Sequence, residues 1–268
     1  MEASRTCPNC RALISRADRV CPYCEFQLEA PRAAGPVREW RRGDEPIAGL
    51  IPPQQFCTSL LLFVNVALFI ASSLTEVGRN LVEAGASFGP AIFTGKQYWR
   101  LLTAGFFHGG VMHILMNSWG LFSLGAQVET LYGARKFVVF YFVSTVTGFF
   151  VSAKLLNGVS VGASAGLFGL LGVMLAVAVI DRSAVGGYLR AQYGQYVIFA
   201  IVTSFIPGID WAAHLGGFAG GFACAYFAGH PAKWGPENGA FWNILAGVCL
   251  ALTVGAFAMM LRYFALLR

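Results

Sequence analysis

Long apolar runs separated by short polar segments fill the chain after residue 55, and they predict an α-helical protein that crosses a membrane several times. An α-helix needs about 20 apolar residues to span a bilayer. The pattern predicts seven such helices, at residues 56–74, 111–132, 137–156, 162–180, 193–206, 211–228 and 241–264. The fifth run is shorter than a full span and is typical of a half-span flanked by loops.

The segment between the first two predicted spans, residues 75–110, is less apolar than its neighbours. It contains several glycines and the run Tyr98-Trp99-Arg100. Aromatic rings next to a positive charge favour the interface between lipid and water over the hydrocarbon core. We therefore expect this segment to lie at the surface of the outer leaflet.

The polar region before the first span divides into two parts. Residues 29–53 are rich in Pro, Gly, Arg and acidic side chains without helical periodicity, which predicts a flexible basic linker. Residues 1–28 hold two Cys-Pro-x-Cys motifs, whose cysteines are Cys7, Cys10, Cys21 and Cys24. This spacing favours four thiolates around one structural Zn²⁺, and metal binding would supply the folding energy that so short a segment lacks.

The alternative for these four cysteines is a pair of disulfides in an oxidising compartment. We favour zinc because the segment lies among arginines that place it in the cytoplasm. Its polar start, with no apolar core behind it, does not match a cleaved signal peptide. Either the segment has only a structural role, or it also binds a cytoplasmic partner.

The composition agrees with a membrane protein, because 56% of the residues are hydrophobic and only 12% are charged. The net charge of +6 does not indicate nucleic acid, since the basic residues form no helix interleaved with base-stacking aromatic residues. With seven spans and a cytoplasmic N-terminus, thirteen Lys and Arg residues lie inside and six outside. We expect a multi-pass protein of a bacterial inner membrane with its C-terminus outside.

Few polar side chains lie at the predicted spans, and they fall on the second, fourth and sixth. These three helices run in the same direction, so their polar groups gather near the outer ends at a similar depth. Polar groups so deep in a membrane are costly and usually face the protein interior or water. The set comprises His108, His113, Asn117, Ser164, Asp210 and His214.

The fourth span begins with Gly162-Ala163-Ser164-Ala165-Gly166, a motif that by itself is more often a plain helix cap. The sixth span carries two overlapping G-x-x-x-G faces that favour close helix packing. Such packing would bring His214 to the Ser164 hydroxyl, and a neutral imidazole can take that proton as a general base. His113 and Asn117, four residues apart on one helix face, can both donate hydrogen bonds to an oxyanion.

At these positions the chain resembles the rhomboid family of intramembrane serine proteases. The resemblance covers residues 56–228, and its motifs occur in the family's order. They are Tyr98-Trp99-Arg100, His108, the run His113 to Asn117, Gly125-x3-Glu129-x3-Gly133, Gly162-Ala163-Ser164, and Ala213-His214 with Gly217 and Gly221. It implies an all-α polytopic fold with a rhomboid-like six-span core at 54–230, to which this chain adds the cysteine segment and a seventh helix at 231–268.

The resemblance also implies the chemistry: a Ser-His dyad without a carboxylate or catalytic cofactor that cleaves in or next to transmembrane segments of membrane proteins. Ser164 would be the nucleophile, His214 the base, and His113 and Asn117 the oxyanion donors. Phe168 matches an aromatic residue that packs on the catalytic imidazole. Arg100 and Glu129 match structural positions, and Asp210 remains a cap or surface group. Ala165 departs from the family's usual G-x-S-G.

Three other functions compete with proteolysis. A catalytically inactive rhomboid-like protein that binds or escorts membrane clients would share the fold, but it would not need both Ser164 and His214. A transporter is disfavoured because the spans show no inverted repeat. A zinc metalloprotease is disfavoured because no H-E-x-x-H motif occurs.

Overall fold

The computed structural model describes residues 4–7, 9–10, 13–15, 18–28, 55–229 and 239–266. The chain divides into two compact units, Met1–Asp44 and Glu45–Arg268. The predicted linker at 29–53 lies outside the described residues.

The first unit is built around its cysteines. Strands β1 (Ser4–Thr6) and β2 (Leu13–Ser15) pair antiparallel, and an isolated bridge joins Val20 to Gln27. Cys7, Cys21 and Leu28 form the small buried cluster of this unit. The all-α prediction did not include these two short strands.

The second unit is built from helices, and within its described part an isolated β-bridge joins Ser87 to Ser160. Its α-helices are α1 (Phe56–Leu74), α2 (Glu76–Gly85), α3 (Gly89–Phe93), α4 (Arg100–Thr103), α5 (Val111–Gly120), α6 (Ala126–Leu155), α7 (Ser164–Ile180), α8 (Ala184–Ser204), α9 (Trp211–Ala228) and α10 (Gly239–Leu266). A 3₁₀ turn (Ala104–Phe106) follows α4, and a π-helical turn (Leu121–Gly125) joins α5 to α6.

Four of the seven predicted helix positions agree closely with the structure. The first and sixth predicted spans coincide with α1 and α9, and the fourth and seventh differ from α7 and α10 by two residues at most. The second and third form one run, Val111–Leu155, which leaves helical geometry at Gly133, where φ is +78°. The fifth prediction was too short, because Tyr188, Arg190 and Gln192 interrupt the apolar pattern without interrupting α8.

Three runs among the described residues are long and apolar enough to cross a membrane on length and composition alone. They are Phe56–Leu74, Val111–Leu155 and Gly239–Leu266, while α7 is apolar but shorter. The count of seven spans therefore stays a prediction.

Helix α9 packs directly on the backbones of α6 and α7 through its glycines. A methyl group on Gly217 would lie 2.1 Å from the Ala165 carbonyl oxygen of α7, and one on Gly221 would lie 2.1 Å from the Gly169 carbonyl oxygen. Gly216 and Gly220 face α6 in the same way, against Thr147. The two glycine faces predicted for the sixth span thus pack against two different helices.

The segment between α1 and α5 forms a cap at one end of the helical unit. Arg100 is buried there and holds the cap together, donating hydrogen bonds to the carbonyl oxygens of Glu83 (2.6 Å) and Ala86 (2.7 Å) and to Gln97 Oε1 (2.6 Å). Gly162 N donates to Ala104 O at 2.9 Å, so α7 begins at this same end. The structural role expected for Arg100 is confirmed.

The C-terminal half of α10 packs on this cap. The rings of Trp99 and Tyr263 lie 5.3 Å apart between centroids, and those of Phe106 and Phe257 lie 5.2 Å apart. Met260 is buried against Ala84 and Phe107. The seventh helix is therefore part of the structure that supports the cap.

Glu129 has a structural role at the other end of α1. Its Oε1 accepts from the Cys57 N–H at 2.9 Å, and its Oε2 accepts from the Thr58 N–H (2.8 Å) and hydroxyl (2.7 Å). The side chain is buried, so it satisfies backbone donors of the first turn that have no partner within the helix.

Candidate active site

Ser164 is the first residue of α7, and its side chain is partly exposed. Gly162, two residues earlier, has φ of +132°, a conformation that L side chains rarely adopt. A methyl group at Gly162 would also lie 2.6 Å from His113 Nε2. The glycine is therefore needed on both grounds, and it lets α5 approach the start of α7.

Ala165, the departure from the family motif, is accommodated in the helix packing. It is fully buried in a cluster with Ala104, Phe149 and Ala213. The facing residue on α6 is Gly148, where an added methyl would lie 2.7 Å from the Ala165 Cβ. The extra methyl of Ala165 thus fills space that Gly148 leaves open.

His214 lies in the first turn of α9 and is buried. Its ring stacks on Phe168, with centroids 3.7 Å apart and planes at 13°. Its Nδ1 is 2.8 Å from the Ser204 hydroxyl at the end of α8. Ala165 and Ala213 share one apolar cluster, so the residues next to Ser164 and His214 are packed together.

No hydrogen bond joins Ser164 to His214 within the part of the chain that the structure describes. Catalytic hydrogen bonds are often long without substrate and tighten in the complex. The structure thus places the two groups on adjoining helix ends without the bond that the dyad requires.

Asn117 and His113 face the start of α7 from α5. The Asn117 amide nitrogen is buried, has no hydrogen-bond partner among the described residues, and lies 3.5 Å from the methyl position of Gly162. His113 Nδ1 accepts from the Gly109 N–H at 3.4 Å, which leaves Nε2 as the nitrogen that carries a proton. Two hydrogen-bond donors therefore converge on the Gly162 backbone.

His108 lies next to His113 in the interior of the protein. It is buried, and its ring meets that of His113 edge-on at 5.2 Å. Burial, with a smaller contribution from His113, lowers the pKa of His108 to about 4, so its ring is neutral at pH 7. His108 packs against a candidate donor rather than facing solvent.

Asp210 caps α9, and a helix cap was one of the two roles predicted for it, the other being a surface group. Its Oδ1 accepts from the Ala213 N–H at 2.9 Å, and its Oδ2 accepts from the Ser152 hydroxyl at 2.5 Å. Both carboxylate oxygens are thereby engaged away from the His214 ring nitrogens.

A cavity of about 360 Å³ adjoins His214 between α7, α8 and α9. Apart from Ser204 and His214, its walls are apolar, and they include Phe168, Leu171, Val197, Ile201, Trp211 and Phe218. Neither the cavity nor Ser204 could be singled out from the sequence, because Ser204 lies inside the predicted run 193–206 and no motif marks it.

The four N-terminal cysteines come together as the motif spacing predicts. Their sulfur atoms all lie within 4.8 Å of one another, with Cys7 to Cys24 at 3.7 Å and Cys10 to Cys21 at 3.6 Å. The two sulfur atoms of a disulfide lie about 2.05 Å apart, so the four cysteines do not form the alternative pair of disulfides in this structure. Four ligands at about 2.3 Å around a tetrahedral ion lie about 3.8 Å apart, which fits these distances.

The electrostatics of this cluster favour thiolates. The backbone N–H of Phe26 lowers the pKa of Cys24 to about 6, and that of Cys10 lowers the pKa of Cys7. Thiolates are the form that binds metal. The four residues can therefore hold a metal ion.

Comparisons with known proteins show the family of this chain. The Rhomboid domain family matches residues 95–231, about half of the chain. This range contains the candidate residues on α5, α7 and α9. The chain belongs to the rhomboid family and is a multi-pass membrane protein.

Three relatives illustrate the range of similarity. The rhomboid protease GluP of Bacillus subtilis (strain 168) is 34% identical over 208 residues, 74% of this chain and 39% of that protein. Rhomboid-like protease 3 of Toxoplasma gondii is 30% identical over 173 residues, 62% and 65% of the two chains. RHOMBOID-like protein 4 of Arabidopsis thaliana is 36% identical over 138 residues, 50% and 35%. Each alignment covers less than two thirds of the relative.

Proposed function

We propose that this protein is an intramembrane serine endopeptidase that hydrolyses peptide bonds in or next to transmembrane segments of membrane-protein substrates. The observation that carries the proposal is that three candidate residues lie at the same end of the helical unit. Ser164 opens α7, and His214 is held on the adjoining α9. The Asn117 amide, which has no hydrogen-bond partner among the described residues, lies next to Gly162. The relatives named as rhomboid proteases support the same function.

Acylation would begin with attack of Ser164 Oγ on the carbonyl carbon of the scissile bond, while the hydroxyl proton passes to His214 Nε2. The carbonyl oxygen becomes an oxyanion, which Asn117 Nδ2, His113 Nε2 and the Ser164 amide can stabilise as donors. The tetrahedral intermediate then collapses. The C–N bond breaks, and the imidazolium gives its proton to the leaving amine.

Deacylation would repeat these steps with water. Water attacks the acyl carbon, and His214 takes its proton; the ester bond to Ser164 then breaks, and the proton returns to the serine oxygen. Each residue is restored at the end of the cycle. No metal ion or cofactor takes part in these steps.

The test is cleavage of a single-span model substrate by purified protein in detergent or liposomes. We expect Ser164→Ala to lower the rate to background, roughly a thousandfold or more. Cleavage that persists in this variant would contradict the assignment of Ser164.

The second candidate is a catalytically inactive rhomboid-like protein that binds or escorts membrane clients. The observation that favours it is the missing hydrogen bond between Ser164 and His214 among the described residues. Client capture without any cleavage by the wild-type chain, and equal capture by Ser164→Ala, would support this alternative.

For topology, we propose a bacterial inner membrane, a cytoplasmic N-terminus and an active site that opens to the outer side. The C-terminal half of α10 packs on the same cap that carries the start of α7, which agrees with a C-terminus on the side of Ser164. A C-terminal reporter should therefore be active outside the cytoplasm. Reporter activity inside would contradict the odd number of spans.

For the first unit, we propose that Cys7, Cys10, Cys21 and Cys24 bind one structural Zn²⁺. The support is a set of four sulfur donors at separations that suit a tetrahedral ion. A cytoplasmic partner of this unit is a further hypothesis, which a pull-down with the full chain and with a Cys21→Ser variant would test.

A further inference from the structure

The base of the proposed dyad has a partner that the family resemblance does not supply. Ser204, the last residue of α8, has its hydroxyl 2.8 Å from His214 Nδ1, and both side chains are buried. We infer that Ser204 is a positioning residue that holds His214 in the tautomer and orientation needed for general-base catalysis. This inference rests on the proposed function.

The direction of the hydrogen bonds follows from the groups around Ser204. Its Oγ also lies 2.7 Å from the carbonyl oxygen of Ala200, one turn earlier in α8. A carbonyl oxygen has no proton, so the single hydroxyl proton must lie between these two oxygens. The Ser204 oxygen then faces His214 as an acceptor, and Nδ1 must carry the proton of that bond.

This assignment fixes the state of the other ring nitrogen. A neutral imidazole has one N–H, so a protonated Nδ1 leaves Nε2 with a free lone pair. That is the tautomer that can accept the proton of Ser164. The opposite tautomer, with the proton on Nε2, cannot act as the base.

The serine thus takes the place that a carboxylate has in a catalytic triad, where the third group orients the imidazole. Asp210, the acid nearest in sequence, is engaged with the Ala213 N–H and the Ser152 hydroxyl. Phe168 fixes the plane of the ring, and Ser204 fixes its rotation within that plane. His113 on α5 and Asp210 on α9 itself are the other titratable groups near His214.

The contact also couples the base to α8. The apolar cavity of about 360 Å³ lies beside this hydrogen bond, and residues of α7, α8 and α9 line it. A displacement of α8 would therefore move the acceptor away from Nδ1.

Three variants test the inference in the full chain. Ser204→Ala removes the acceptor, Ser204→Thr keeps a hydroxyl and adds a methyl beside the cavity, and Thr203→Ala is the matched control. Thr203 also bonds backbone oxygens of its own helix, at Phe199 (3.0 Å) and Ala200 (3.1 Å), without a hydrogen bond to His214. Steady-state cleavage of a single-span substrate would be measured for each variant, with Ser164→Ala in parallel.

We expect Ser204→Ala to lower kcat by about tenfold to a hundredfold, with KM changed by less than about twofold, because a buried N–H loses its acceptor. Ser204→Thr should recover most of the rate, and Thr203→Ala should match the wild type. An unchanged kcat in Ser204→Ala would overturn the inference. Equal losses in Ser204→Ala and Thr203→Ala, or no recovery with threonine, would do so too.

A second measurement does not depend on proteolysis. In the ¹⁵N spectrum of histidine-labelled protein at neutral pH, the signals lost in His214→Gln should show a protonated Nδ1 and an unprotonated Nε2. A protonated Nε2 in the wild type would overturn the inference. By contrast, wild-type cleavage that survives Ser164→Ala would remove the proposed function while leaving this tautomer result intact.

Discussion

The ring of Phe168 stacks on the ring of His214, with centroids 3.7 Å apart and planes at 13°. Phe168 lies one turn after Ser164 on the same helix, so the residue that orients the proposed base is fixed relative to the proposed nucleophile. The ring also forms part of the wall of the cavity next to His214. One side chain therefore links the geometry of α7, the imidazole and the cavity.

Replacing Phe168 should weaken catalysis without abolishing it. Phe168→Leu removes the stacking surface, and since such pairs contribute about 0.5–1.5 kcal/mol, we expect kcat to fall about twofold to tenfold. Phe168→Tyr keeps an aromatic face and should stay near the wild-type rate. Cleavage kinetics on a single-span substrate would check both, and equal rates for the leucine and tyrosine variants would contradict a role for the stack.

The packing of α7 on α9 should be sensitive to a single methyl group. Gly217→Ala would place a carbon 2.1 Å from the Ala165 carbonyl oxygen, a backbone atom that cannot move aside alone. Overpacking of this kind costs about 1–3 kcal/mol, so the thermal unfolding temperature should fall. Gly247→Ala on α10 is the control, because its methyl meets open space and alanine favours the helix. Equal unfolding temperatures for the two variants would refute the close packing.

Loss of the Glu129 carboxylate should destabilise the helical unit. Glu129→Ala leaves the N–H groups of Cys57 and Thr58 without their acceptors, and each buried unpaired donor costs about 1–3 kcal/mol. Glu76→Ala is the matched control, since that acid is exposed and pairs with exposed Arg79, an interaction worth about 1 kcal/mol or less. Unfolding in detergent would be compared for both, and similar losses would show that Glu129 does not hold α1.

The cysteine cluster should bind metal in a ratio of about one zinc per chain when the protein is purified under reducing conditions. Replacing Cys7 or Cys24 with serine should remove the zinc, whereas Cys249→Ser on α10 should leave it in place. Elemental analysis by mass spectrometry would measure the content. Zinc-free wild-type protein, or zinc retained after Cys7→Ser, would rule out this site.

Sequence alone predicted four of the long helices closely and indicated the candidate chemistry of this chain. Apolar length places α1 and α9 correctly because a span must be continuous, and the glycine spacing on α9 predicts its packing because only glycine permits such close backbones. Because the second, fourth and sixth predicted spans run in the same direction, the sequence predicted that His113, Asn117, Ser164 and His214 lie at one end of the unit. Their placement agrees with the structure, and their catalytic roles stay predictions.

The interactions that the sequence did not predict are those between elements with no fixed spacing. Ser204 meets His214 through the turn between α8 and α9, and no motif marks it. Gly148 matters because it faces Ala165, a relationship between two helices that neither segment indicates by itself. The π-helical turn at Leu121–Gly125 is likewise a local departure that the apolar pattern did not predict.

The proposed nucleophile can be tested most directly by covalent labelling. An alkyl fluorophosphonate loses fluoride when an activated serine oxygen attacks its phosphorus, and the phosphonyl group then marks that residue in a peptide mass spectrum. We expect the wild-type chain in detergent to carry the label on Ser164, and we expect His214→Ala to lose it because the base is gone. Labelling of another serine instead, or labelling of Ser164 that is equally fast in His214→Ala, would contradict the Ser164–His214 dyad.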